Sequence, residues 1–104
     1  MINGKIGAPK GGRVHWLLWH LPAEFKGAYE LYYDYKKHSY VFVRHHGRAL
    51  FDVFIVMHSS KHWWRMMYSC PSKKKYEYFG YRNTRILAEF MFEIYKNFPN
   101  GGQG

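Results

Sequence analysis

Toward the C-terminal end, Ile86, Leu87, Phe90, Met91, Ile94, Tyr95 and Phe98 recur at three- and four-residue spacing, while Arg85, Glu89, Glu93 and Lys96 fall between them. That period gathers the apolar set on one stripe of an α-helix and the charges on the other. Asn83 or Thr84 can cap the free N–H groups of its first turn, and Pro99 with Gly101 stops it. Between Ala28 and Tyr81 the period changes. Aromatic and β-branched runs of six to ten residues alternate with short polar clusters, which is the pattern of antiparallel hairpins. Strands are expected at 28–35, 40–46, 49–58, 63–69 and 76–81. Their connections, Lys36 to Ser39, Gly47 to Arg48, Ser59 to His62 and Cys70 to Lys75, are short enough for consecutive strands to pair directly. Val14 to Leu21 fits a strand buried on both faces or a helical turn ending before Pro22. Eight residues do not separate the two by period; the segment is read as a strand.

The expected fold class is therefore α+β: an antiparallel β meander of four to six strands with the C-terminal amphipathic helix packed on one face. Residues 1–13, with Gly4, Gly7, Pro9, Gly11 and Gly12 among Lys5, Lys10 and Arg13, read as a flexible basic tail. Residues 14–98 form a single domain, and 99–104 a second, glycine-rich tail.

Composition supports one core. A chain of 104 residues is the usual size of one domain, and with 47% hydrophobic and 21% aromatic residues it escapes the disorder of poorly hydrophobic sequences. The longest apolar stretch, Val14 to Leu21, falls far short of the ~20 residues a bilayer span needs, so no integral membrane segment is expected. No apolar stretch follows Met1 directly, as a signal peptide would require. Cys70 is the only cysteine, which rules out an intrachain disulfide and fits a reducing, intracellular compartment.

Charge changes the picture more. The formal net charge is +9, and from Lys36 to Lys75 nine Lys or Arg residues face one acid, Asp52. Such an excess attracts phosphate backbones, acidic proteins or anionic surfaces. Lys36, Lys37, Arg44, Arg48, Lys61, Arg65, Lys73, Lys74 and Lys75 are the candidate phosphate contacts. In a meander alternate turns share one end, so Lys36, Lys37 and Lys61 would line one rim and Arg48 with Lys73 to Lys75 the other. Strand alternation then sorts the faces. Phe51, Val53, Ile55 and Met57 are assigned to the core under the helix, together with Val41, Val43, Trp64 and Tyr68. The opposite, open face would carry Asp52, Phe54 and His58, then Tyr40, Phe42, Arg44 and His46, then Trp63, Arg65 and Met67. Tyr40, Phe42, Phe54 and Trp63 are the candidate base-stacking residues, because unpaired bases stack on aromatic rings while flanking cations hold the phosphates.

Catalytic and metal chemistry find little footing. His45, His46, His58, His62 and Cys70 reproduce no zinc-ligand spacing, so neither a metal nor a cofactor is expected. The seven acids are dispersed, unlike the clustered carboxylates that hold Mg²⁺ in nucleases. Gly7 to Arg13 lacks the G-x-x-x-x-G-K-[ST] pattern of a phosphate loop. Cys70, beside the lysine run, is read as a partly buried structural residue.

Ser39-Tyr-Val-Phe-Val43 is similar to the core of the RNA-recognition-motif octapeptide, with Trp16 to Leu21 upstream in the place of its companion hexapeptide. Ser39 stands where that family has Gly, His45 replaces the final aromatic, and the interval cannot hold the intervening helix and strand, so the chain is not assigned to it. A run of four or five strands followed by a helix also resembles, at the level of fold, the single-stranded nucleic-acid-binding domains of the PUR and Whirly type. The expected function is a non-catalytic RNA- or single-stranded-DNA-binding module, of the kind that serves as a subunit of a ribonucleoprotein. The alternative is a protein-interaction subunit or inhibitor that docks its aromatic, basic surface on an acidic partner or pairs through an exposed strand edge, with a protein partner or a homo-oligomer as the assembly. Peripheral membrane attachment ranks last, because the one clear amphipathic helix has a mixed, nearly neutral polar face.

Overall fold

The periodic segment at the C-terminal end folds as expected. In the computed structural model, which describes residues 12–34, 36–47, 49–58, 63–72, 75–81 and 84–98, the last element is a helix, Thr84–Asn97, with Leu87, Ala88, Met91 and Ile94 buried. Ile86 is the one member of the apolar stripe left exposed. The elements in chain order are α1 (Gly12–His20), α2 (Ala23–Ala28), β1 (Glu30–Asp34), β2 (Ser39–His45), β3 (Phe51–His58), β4 (Trp63–Ser69), β5 (Lys75–Tyr81) and α3 (Thr84–Asn97). The five strands form one sheet in the order β1-β2-β3-β4-β5, every neighbouring pair antiparallel. The fold is thus α+β, a five-stranded meander with α3 packed on it.

The first expectation to fail is the strand at 14–21. Val14, Leu17, Leu18 and Leu21 are buried while Trp16 and Trp19 point away, an i, i+3, i+4, i+7 stripe, and the segment is α1. Leu21 N–H bonds the carbonyls of Leu17 and Leu18 to close the last turn before Pro22. The helix starts at Gly12, so the expected tail boundary after residue 13 falls inside it; residues 1–11 and 99–104 lie outside the described residues. A second short helix, α2, also occupies sequence read as loop and strand, and it places Phe25 at the centre of the core.

The second failure is the assignment of faces. Phe42 pairs with Phe54, and Phe54 with Tyr68, so these rings share one face with Val56, Met66 and Trp64. That face is the buried one, packed against Leu17, Leu18 and Leu21 of the α1 segment, Phe25 and Leu87, Ala88, Met91 and Ile94 of α3. Phe51, Val53, Ile55 and Met57, expected beneath the helix, lie on the outer face instead, with Trp63, Arg65, Met67, Glu77 and Phe79 beside them. Rings explain the inversion. An aromatic side chain removes about 150–250 Å² from water, more than Val or Ile can, so enclosing the ring-bearing face yields the larger gain.

Candidate nucleic-acid interface

Burial of the ring face carries Asp52 and Arg44 in with it. Arg44 and Asp52 are cross-strand partners on β2 and β3, and Asp52 is fully enclosed. Arg44 Nε donates to Asp52 Oδ1 at 2.9 Å and Nη2 to Oδ2 at 3.2 Å, a bidentate pair. Tyr29 and Tyr68 hydroxyls donate to Oδ2 at 2.6 and 3.0 Å. His46 Nε2 lies 2.6 Å from Oδ1, and because an ionised carboxylate only accepts, His46 supplies the proton. Arg44 Nη2 reaches on to the Phe98 carbonyl at 2.7 Å, and its guanidinium lies over the Tyr29 and Tyr95 rings. The network ties α2, β2, β3, β4 and the end of α3 at one point. Burial alone would raise the Asp52 pKa, but the hydrogen bonds from Arg44, Tyr29 and His46 outweigh it and hold the carboxyl below its ordinary range. Burial and the adjacent carboxylate push both tyrosine hydroxyls well above theirs. Asp52 accepts five such bonds, which make the centre a clamp between the strands and the helices.

The candidate contacts consequently divide. Arg44, expected at a phosphate, is inside the clamp, and Phe42 and Phe54, expected to stack on bases, are core residues that no base can reach. Tyr40 is half-buried against the core and leans on Tyr33. Arg48, Lys61, Lys73 and Lys74 lie outside the described residues. Lys36, Lys37, Arg65 and Lys75 are exposed, as is Trp63 in part. Asp34 builds the β1–β2 turn: its Oδ1 accepts from the backbone N–H groups of Lys36 and Lys37 at 3.0 and 3.3 Å, fixing both lysines at one end of the sheet.

At that same end the outer face carries a pair that sequence reasoning missed. Trp63 of β4 and Phe79 of β5 stack with centroids 4.8 Å apart and planes 16° from parallel, and Phe79 is 62% exposed. Arg65 is the direct cross-strand partner of Phe79. Tyr76, Tyr78, Phe79 and Tyr81 all look alike in sequence; only the pairing of β5 with β4 turns Phe79 outward. Farther along the outer face Val53, Ile55, Met57 and Met67 are half-buried, and Phe51 is exposed at its edge. A second aromatic cluster, Trp16 and Trp19 in a T-shaped contact on α1, lies on the helix side, 56% and 68% exposed.

Cys70 is buried, its Sγ 3.1 Å from Ser72 Oγ. Among the described residues no three His, Cys, Asp or Glu side chains gather as a metal site would require, and no helix is long and apolar enough to cross a membrane. No protein-family model, curated protein or solved structure matches the chain.

Proposed function

We propose that this domain binds single-stranded nucleic acid, RNA or DNA, and acts by binding alone. The observation that carries the reading is the exposed, nearly parallel Trp63–Phe79 pair with Arg65 beside it, on the sheet face opposite the helices. A base extends such a stack, and a guanidinium alongside contacts the phosphate or lies on a neighbouring base. The turn that presents Lys36 and Lys37 at the same end supplies further cations, on a chain whose net charge is +9. The site is smaller than the strand pattern suggests: Trp63, Phe79 and Arg65 stack, while Lys36 and Lys37 contact phosphates.

Fluorescence-anisotropy titration of labelled single-stranded RNA, single-stranded DNA and duplex at two salt concentrations tests the proposal. Single strands should bind with a steep salt dependence, and Phe79→Ala should weaken them by roughly 5- to 150-fold, the value of one stacked base. Binding indifferent to Phe79→Ala would leave only a basic surface, and no binding at low salt would defeat the function altogether.

A further inference from the structure

A sheet whose second face meets water ordinarily alternates apolar and polar residues. Here the middle of that face is Val53, Ile55, Met57 and Met67, half-buried on β3 and β4, with Val41 and Val43 of β2 beside them already buried within the chain. Its charges, Arg65 of β4 aside, sit on the edge strands β1 and β5. One transverse row runs Glu30, Val43, Val53, Ser69, Lys75, and the next runs Tyr32, Val41, Ile55, Met67, Glu77. An apolar, methionine-containing centre with a charged rim is the anatomy of a protein interface. On a chain of net charge +9 this face carries Glu30, Asp34 and Glu77 against Arg65 and Lys75, so it offers charges of both signs to a second copy.

We infer that the outer face pairs with the same face of a second copy of this chain, about a two-fold axis that runs parallel to the strands through Ile55. Such an axis keeps each transverse row in place and exchanges the edges. Glu30 of each copy then meets Lys75 of the other, Tyr32 meets Glu77, and Ile55 meets Ile55. An axis across the strands would instead bring Glu30 toward the second copy's Asp34, acid against acid. Sheets packed face to face lie about 10 Å apart with strands nearly aligned, a gap that Glu and Lys side chains span together. Five strands ~4.8 Å apart and roughly 20 Å long offer about 500 Å² per copy, of which the Trp63–Phe79 end, left open for the single strand, takes roughly a third, so the interface is of the small, transient kind. Because rows keep their ends, the second copy's Lys36–Lys37 turn comes opposite the Trp63–Phe79 pair. Each nucleic-acid site then draws its rings from one chain and its lysines from the other; this last step rests on the nucleic-acid reading, whereas the association itself does not.

Sedimentation equilibrium of the full chain without nucleic acid, from low to high micromolar concentration, tests the pairing. The wild type should be a dimer. Ile55→Glu, which sets two carboxylates face to face on the axis at an outward position, should weaken dimerisation at least ~100-fold with the circular dichroism spectrum retained. Lys75→Glu should weaken it on the order of 10-fold and the double variant Glu30→Lys, Lys75→Glu restore it, since swapping both rim charges recreates both pairs. A wild-type monomer throughout, or a dimer indifferent to Ile55→Glu, overturns the inference. Single-strand binding by a monomer sensitive to Phe79→Ala would overturn the dimer and leave the function standing.

Discussion

The two faces of the sheet are built from the same residue types and have opposite fates. The inner face encloses Phe42, Phe54, Trp64 and Tyr68 and buries an Asp–Arg pair joined by two hydrogen bonds. The outer face leaves Trp63 and Phe79 in solvent beside a band of valine, isoleucine and methionine. Hydrophobicity does not distinguish them; the distinction lies in whether the polar groups are satisfied within the chain. Asp52 and Arg44 can go inside because Tyr29, Tyr68, His46 and the Phe98 carbonyl converge on them. Arg65, on the outer face of β4, is exposed and stays where a ligand can reach it.

Removing the clamp should therefore have the largest effect. Asp52→Ala leaves Arg44 buried without its counter-charge and takes the acceptor from two tyrosines and a histidine, a loss of about 3–5 kcal/mol by urea unfolding. Against a total stability of roughly 5–15 kcal/mol, that is a large share. The same clamp sets the acid limb of stability. Because the folded carboxyl titrates below its unfolded value, Asp52 contributes fully above the ordinary carboxyl range and loses that contribution as pH falls through its depressed folded value. The urea midpoint should drop below about pH 4, and the drop should be shallower in Asp52→Asn, which has no carboxyl to protonate.

Two adjacent methionines compare the faces directly. Met66 is fully enclosed on the inner side of β4 and Met67 half-buried on the outer side. Met66→Ala should cost about 2–5 kcal/mol through the cavity it leaves. Met67→Ala should change the unfolding free energy of the single chain by under ~1 kcal/mol. Equal losses at the two sites would mean that the outer face is packed as tightly as the inner one.

The sequence carried the architecture better than the site. The α3 stripe and the hairpins were legible because period and short connections are local properties. The stripe Val14, Leu17, Leu18, Leu21 is equally present, but over eight residues it fits a strand buried on both faces as well as a helix, and period alone does not decide between them. The faces of β3 were not legible, since Phe51, Val53, Ile55 and Met57 alternate as cleanly as Phe54 and Val56 do. What decides between them is contacts over 8, 16 and 23 residues, from Arg44, Tyr68 and Tyr29 to Asp52. Strand pattern therefore misplaced Arg44, Phe42 and Phe54, and overlooked Phe79, whose outward turn depends on the register of β5.

Trp63→Ala sharpens the comparison from the outer side. It removes a ring stacked on Phe79 at the surface, so single-strand affinity should fall by about 1–3 kcal/mol while the urea midpoint shifts little. Tyr40→Phe, on the inner face, should leave affinity unchanged. A Tyr40 variant that loses affinity without losing stability would return the binding site to the inner face and reverse the assignment of the two.

The smallest effect expected is also the most specific to the turn. Lys36 and Lys37 are held by their backbone bonds to Asp34, so replacing both side chains with Ala leaves the turn intact and removes only charge. If each lysine meets one phosphate, the slope of log K against log salt should fall by about 1.4 for single strands, roughly 0.7 per contact. Affinity for every sequence should decline alike, because phosphate contacts position a strand without reading it. Asp34→Ala keeps both charges but loosens the turn, so it should lower affinity and leave the slope nearly unchanged. An equal slope change in the two variants would mean that the lysines act through the order of the turn rather than through their charge.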